Sequence, residues 1–214
     1  MKTLILNEPN KLYFTSDLHL NHANIIKYCN RPFKDKSHMN EVIINNWNSI
    51  IKDDDIIFHL GDFCLGGRGE WIHYINRLSG IKIFIKGNHD RDKDVPSNLL
   101  DGYYDGFVNI NVKDLEVKGG EQRITLCHYP MLSWYQSHRK AWQLFGHMHN
   151  QTIKPLKENI EGGDEVSDFL KTEYHYISKI RYDQCDVGVD GNNFTPMSYY
   201  QIKNKISKNL ENSK

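Results

Sequence analysis

Five short polar clusters, each placed directly after an apolar run, hold the residues of this sequence that could do chemistry. They are Asp17-Leu18-His19, Gly61-Asp62, Gly87-Asn88-His89-Asp90, His128-Tyr129-Pro130 and Gly146-His147-Met148-His149. Together they offer seven oxygen and nitrogen donors: Asp17, His19, Asp62, Asn88, His128, His147 and His149. Seven exceeds the set one tetrahedral ion takes, and it suits two ions that share a carboxylate. No thiolate is among them, which favours Mn²⁺, Fe or Zn²⁺ over Ca²⁺ or a thiol-rich zinc site. Two such ions ~3.5–4 Å apart can clamp the attacking and leaving oxygens of a phosphoryl centre and acidify a bound water. His89 is of a type that donates a proton near neutral pH, and Asp90 beside it can hold the imidazole in one tautomer. Asp17 and His19 are two apart, as are His147 and His149, so an extended chain points each pair to one face.

The elements that must position these clusters follow from the apolar period. Lys11–Thr15, Ile56–Phe58, Lys82–Lys86, Ile124–Cys127 and Ala141–Phe145 read as strands that stop at the five clusters. Between the first two, Ser37 to Ile51 reads as a helix capped by Ser37, with Met39, Val42, Ile43, Trp47 and Ile50 on its apolar face. A second helix is expected through Trp71, Ile72, Ile75 and Leu78, closed by Ser79-Gly80. Strands alternating with helices, with polar clusters after the strands, describe an α/β sheet binding its ligand at strand ends. Phe107–Val117 is expected to pair as a hairpin with Arg123–Cys127, Cys185–Asp190 to form a last strand, and Tyr199–Ile206 a C-terminal helix before a frayed tail. The period fades at about 154–184, which reads as an insertion, helical over 165–172, in an otherwise single domain spanning 1–214.

The bulk composition sets limits. Lys and Arg number 27 against 27 Asp and Glu, so no global basic field favours nonspecific nucleic-acid coating. The four cysteines stand far apart with no Cys-x-x-Cys pair, as for free thiols in a reducing compartment. No run approaches the ~20 apolar residues of a membrane span. The expectation is a cytoplasmic protein with no membrane partner, monomeric or homodimeric. His59 is read as a buried or supporting histidine, Cys127 as core, Asp53-Asp54-Asp55 as a solvated turn, and His38, His73, His138 and His175 as surface residues.

The five clusters, in this order, resemble the motifs of the calcineurin-like metallophosphoesterases, and the Val187-Gly188-Val189-Asp190 stretch resembles the end of that family's domain. The resemblance implies a four-layer α/β/β/α sandwich with the site at strand-end loops. It implies that Asp17, His19 and His149 hold a first metal, that Asn88, His128 and His147 hold a second, and that Asp62 bridges them. His89 would be the general acid, oriented by Asp90. The implied cofactor is a pair of divalent ions, Mn²⁺ foremost, with Fe, Zn²⁺ or Ni²⁺ as alternatives. The implied reaction is hydrolysis of a small, nucleotide-derived phosphoester by a metal-activated hydroxide. Phosphomonoesterase, nucleotide pyrophosphohydrolase, nuclease and silent scaffold are the competing readings. The Asp-Arg-Gly element of the Ser/Thr protein phosphatases is replaced by Phe63-Cys64-Leu65-Gly66-Gly67, and Lys86 stands where they carry Arg before Gly-Asn-His. This sets protein phosphatases aside and points to diesters. His22 and Asn30-Arg31-Pro32-Phe33 resemble a subgroup of small microbial phosphoesterases, and Arg31 or His22 is expected to meet the substrate phosphate.

Overall fold

The computed structural model describes residues 3–149 and 180–212. Among these described residues, ten strands form two five-stranded sheets. The first contains β1 (Thr3–Leu6), β6 (Phe107–Lys113), β7 (Glu121–Cys127), β8 (Trp142–Phe145) and β9 (Gln184–Asp186), in that spatial order. The second runs β10 (Met197–Ser198), β2 (Leu12–Thr15), β3 (Ile56–His59), β4 (Ile81–Ile85) and β5 (Gly102–Tyr104). Pairing is parallel except for the β6–β7 hairpin and the β10–β2 pair. This is the two-sheet, helix-flanked sandwich that the resemblance implies.

Strand alternation explains the layering. Leu12 and Phe14 of β2, Phe58 of β3 and Ile85 of β4 face Val108, Ile110, Ile124, Leu126 and Leu144 of the first sheet in one apolar cluster. Tyr13, Ile57 and Phe84, one residue out of phase, face the opposite way. There they pack with α2 (Lys36–Ile50) and α3 (Arg68–Ile75) through Met39, Ile43, Ile44, Trp47, Trp71 and Ile75. The helix α2 starts earlier than the sequence reading has it. Asp35, in extended conformation, is the cap and accepts from His38 N–H at 2.8 Å, so Ser37 lies inside the first turn. A short α1 (Ile25–Tyr28) follows the first polar loop.

Three strands are absent from the sequence reading. β5 and β10 have three and two residues, too few for a period to show, and β1, as long as β2, is an edge strand paired on one side alone. The last parallel strand is shorter than expected and ends at Asp186, after which Gly188 makes an isolated bridge to Ser16. The C-terminal helix α4 (Tyr199–Asn212) continues past the expected Ile206. The expected helix over 165–172, and the expected insertion up to residue 179, lie outside the described residues. No described helix is long and apolar enough to cross a membrane.

α4 is pinned to the hairpin by a small polar cluster. Buried Asp114 accepts from the Tyr199 hydroxyl at 2.7 Å and from Lys203 Nζ at 2.6 Å. Tyr199→Phe keeps the ring, which stacks on Trp142, but removes the hydroxyl donor from a buried carboxylate. The expected cost is about 1–2 kcal/mol in urea unfolding, with metal content at the strand-end loops unchanged. An unchanged midpoint would show that the bond contributes nothing.

Candidate metal centre

All seven donors come together where the two sheets end. Beyond β2 and β3 the chain continues as two adjacent loops joined by backbone bonds: Asp17 N–H to Gly61 O at 3.0 Å, His19 N–H to Asp62 O at 3.0 Å and Leu20 N–H to Phe63 O at 2.9 Å. Neither donor pair converges by the extended-strand pleat expected from the spacing. Asp17, His19, Asp62, His147 and His149 all have positive φ, between 47° and 71°. Five of the seven donors therefore sit in the left-handed region. Asp and His tolerate it better than most side chains, but it still costs on the order of 1 kcal/mol each. That conformation turns the side chains inward just past the strands.

Close backbone packing makes the turn possible. A Cβ on Gly87 would overlap the backbone N and Oδ1 of Asp62, and one on Gly146 would overlap Ser16 Oγ and Asp17 Oδ2. Gly146 N–H donates to His128 O at 2.9 Å, and His147 N–H to Asp17 Oδ2 at 2.9 Å.

Two donor groups result. The ligating atoms of Asp17, His19 and His149 lie within 4.8 Å of one another, and so do those of Asp62, His128 and His147. Asn88 joins the second group, its Oδ1 2.8 Å from His128 Nε2 and 3.1 Å from His147 Nδ1. Asp62 stands between the two. Its Oδ2 is 3.5 Å from His19 Nε2 and 3.5 Å from His128 Nε2, while Oδ1 accepts from His89 N–H at 2.8 Å.

The chemistry of this set fits a cation. His128 Nδ1 is 2.8 Å from the Leu60 carbonyl, which can only accept, so Nδ1 carries hydrogen and, when the ring is neutral, the Nε2 lone pair turns inward. That lone pair faces the oxygens of Asn88 and Asp62, an arrangement of acceptors alone. Asp17 Oδ1 and His19 Nε2 are buried and find no hydrogen-bond partner. Buried orphan lone pairs are costly unless a proton or a metal ion lies among them.

In metal-free protein the electrostatics divide the imidazoles, and a metal ion would displace a proton from His128 and His149. Burial pushes the Asp17 carboxyl up to about 6, against the pull of His128 and His149. Burial lowers His19 well below its ordinary value and brings His147 down to about 4, so both are neutral at pH 7 and offer lone pairs. At His128 and His149 burial is outweighed by Asp62 and Asp190 respectively, and both are raised. Burial would raise Asp62, but the His128 and His19 imidazoles hold it below the ordinary carboxylate range.

Two expected roles are corrected. Arg31 does not face a substrate. Its side chain is fully buried, with Nε and NH2 on the Asp190 carboxylate at 2.7 and 2.8 Å and further bonds to the carbonyls of Leu18 and Asp17 at 3.0 and 2.8 Å. Asp190 in turn is 2.8 Å from His149 Nδ1, leaving His149 Nε2 for the first donor group. Arg31 is thus a positioning residue for the Asp17 loop and, through Asp190, for His149. Asp90 does not orient the His89 ring. Its carboxylate accepts the backbone N–H of Asp62, Phe63 and Gly87 at 2.8, 3.0 and 2.9 Å, joining the two loops that carry Asp62 and Asn88.

His89 is exposed, its ring 5.4 Å from that of His19. His22 lies alongside, Nδ1 3.4 Å from His19 Nδ1, and burial lowers its pKa. His59 is a core residue. It is stacked on Phe84, accepts from Gly61 N–H at 3.2 Å, and is pushed by burial down to about 3. Sequence reasoning missed Asp190 and Cys29, which stand beside His149. Asp190 carried a usable signal, since it ends an apolar stretch interrupted by glycine, as Asp62 does.

Asp17 provides a test of this frustration. Its stabilising contribution in metal-free protein is full below the unfolded carboxylate value and is lost as pH rises through about 6, because the folded state holds the proton more tightly. Chelated Asp17→Asn should therefore be more stable than the parent at pH 7, by about 1–3 kcal/mol, with the gap closing below about pH 5. Added Mn²⁺ should raise the melting temperature of the parent and not of the variant. A variant less stable than the parent at every pH would contradict the reading.

Comparisons with known proteins bear on the family and the fold. The family model for calcineurin-like phosphoesterases matches residues 11–172. An uncharacterized protein of Methanocaldococcus jannaschii is 32% identical over 178 residues, covering 79% of this chain and 90% of that relative. The Gene 66 protein of Mycobacterium phage L5 is 27% identical over 163 residues, covering 66% of this chain and 78% of its own. The crystal structure of a protein of unknown function from Aquifex aeolicus is similar with a TM-score of 0.59 and 27% identity, over 90% of this chain and 97% of that one. With three quarters of its length matched by the family model, and with the strand-end donors gathered as above, the chain belongs to the calcineurin-like phosphoesterases.

Proposed function

We propose that this protein is a dinuclear-metal phosphoesterase that prefers phosphodiesters. The observation that carries the reading is the position of Asp62, one carboxylate oxygen of which is equidistant, at 3.5 Å, from an imidazole nitrogen of each donor group. In this reading Asp17, His19 and His149 hold one ion, Asn88, His128 and His147 hold the other, and Asp62 is shared. Two bound divalent ions, Mn²⁺ foremost, would supply Lewis-acid stabilisation of the phosphoryl oxygens and a nucleophilic water at neutral pH.

The chain's own residues do the rest. His89, exposed beside His19, protonates the leaving oxygen. Its backbone N–H on Asp62 Oδ1 fixes its distance from the bridging carboxylate. His22, partly exposed and 6.4 Å from His89 between ring centres, binds a phosphoryl oxygen. Arg31, which bonds the Asp17 carbonyl, is engaged by Asp190.

Bis(p-nitrophenyl) phosphate should be hydrolysed only with added Mn²⁺ or a similar ion, and hydrolysis should stop with chelator. Turnover by metal-free protein would sink the mechanism, and no turnover of any ester with two ions bound would favour a silent scaffold. His89→Ala should keep both ions and slow diesters with poor leaving groups by about 10²–10⁴-fold, with much smaller losses for p-nitrophenol. Equal losses for both leaving groups would remove the general-acid role.

A further inference from the structure

At the opposite end of the first sheet lies a cavity of about 520 Å³ that the metal centre does not use. It is lined by the starts of β7 and β8, by the turn after β6 and by the last turns of α4. β7 runs from this cavity to His128, a span of about 20 Å for a strand of its length. The volume falls within the range of small-molecule sites.

Its walls divide by chemistry. Lys118, Arg123, Arg139 and Lys140 all line it. Among the described residues none of the four takes part in an ion pair, whereas Lys11, Arg77, Lys86, Arg91, Arg181 and Lys203 each do. Arg123 is half-buried and still unpaired. Two carboxylates share the cavity. Asp183 is neutralised by Arg181 at 2.8 Å, and Glu121 accepts from the Asn111 amide at 3.4 Å. Trp142, Ile206 and Leu210 give it an apolar stretch of wall, beside the polar Gln122, His138 and Ser207. Four cations with no ion pair among the described residues, set against the single charge left on Glu121, repel one another, and a multiply charged anion relieves that repulsion. The apolar wall asks for a flat, weakly polar group on the same molecule.

We propose that this cavity is a second binding site, independent of the metal centre, for a nucleoside di- or triphosphate. The phosphates lie among Lys118, Arg123, Arg139 and Lys140, and the base lies against the Trp142 side. Arginine at this position gives the forked contact that phosphate oxygens accept.

The test is calorimetric titration of the full-length, chelator-treated protein with ATP, tripolyphosphate and adenosine. Saturable ATP binding is expected, weakened by salt, with tripolyphosphate weaker and adenosine weaker still. Arg123→Gln combined with Arg139→Gln should weaken ATP at least about tenfold. Both side chains reach solvent, so thermal unfolding should be little changed, and Lys140→Gln serves if the double variant misfolds. Asp62→Asn should leave ATP binding as it is. Absence of saturable binding, insensitivity to all three groove substitutions, or loss in Asp62→Asn would overturn the site. Tripolyphosphate binding as tight as ATP would overturn the nucleoside assignment.

Discussion

The structure depends on one electrostatic constraint: two carboxylates, four imidazoles and an amide converge on a common space at the strand ends, its floor buried and its rim open. Asp17 and His128 are almost fully buried, and Asp62 lies between imidazoles on either side. In an apo chain such a set is frustrated, which is why Asp17 is driven toward its protonated form and His19 toward its neutral one. Divalent cations bound among these donors, as proposed, would relieve these conflicts together. Folding then builds a site whose stability is completed by what it binds.

Holding that arrangement takes local strain and local reinforcement. Five of the seven donors adopt positive φ, which persists only where the surroundings over-determine it. The reinforcement is visible residue by residue. Asp90 gathers three backbone N–H groups from the loops that carry Asp62 and Asn88. Arg31 ties the carbonyls of Asp17 and Leu18 to Asp190, and Asp190 fixes His149. Asn40 on α2 accepts from Asn21 N–H and donates to Tyr74, fastening the His19–His22 loop to the helical layer. The apolar sandwich supplies rigid strand ends, and this polar lattice sets the side chains on them.

Much of this was legible in the residues themselves. Strands β2, β3, β4, β7 and β8 announce themselves by period, and the polar residues directly after them are the ones the fold brings together. What stayed hidden is direction. A guanidinium five residues upstream of a helix reads equally well as facing solvent or core, and Arg31 faces the core because Asp190, 159 positions away, waits there. The neighbour relation of His89 and Asp90 suggested a pair, but the backbone N–H groups across the loop compete better for that carboxylate. The i, i+2 spacing of Asp17 and His19 was informative for a reason other than the pleat, since the left-handed turn does the aiming. The edge strands β5 and β10 are too short to carry a period, and pairing with a neighbour defines them, as it does the longer edge strand β1.

The most direct measurement is anomalous diffraction from crystals grown with Mn²⁺. The account predicts two peaks about 3.5–4 Å apart, one among Asp17, His19 and His149, the other among Asn88, His128 and His147, with a carboxylate oxygen of Asp62 between them. A single peak, or a pair of peaks that leaves Asp62 outside both coordination spheres, would contradict it.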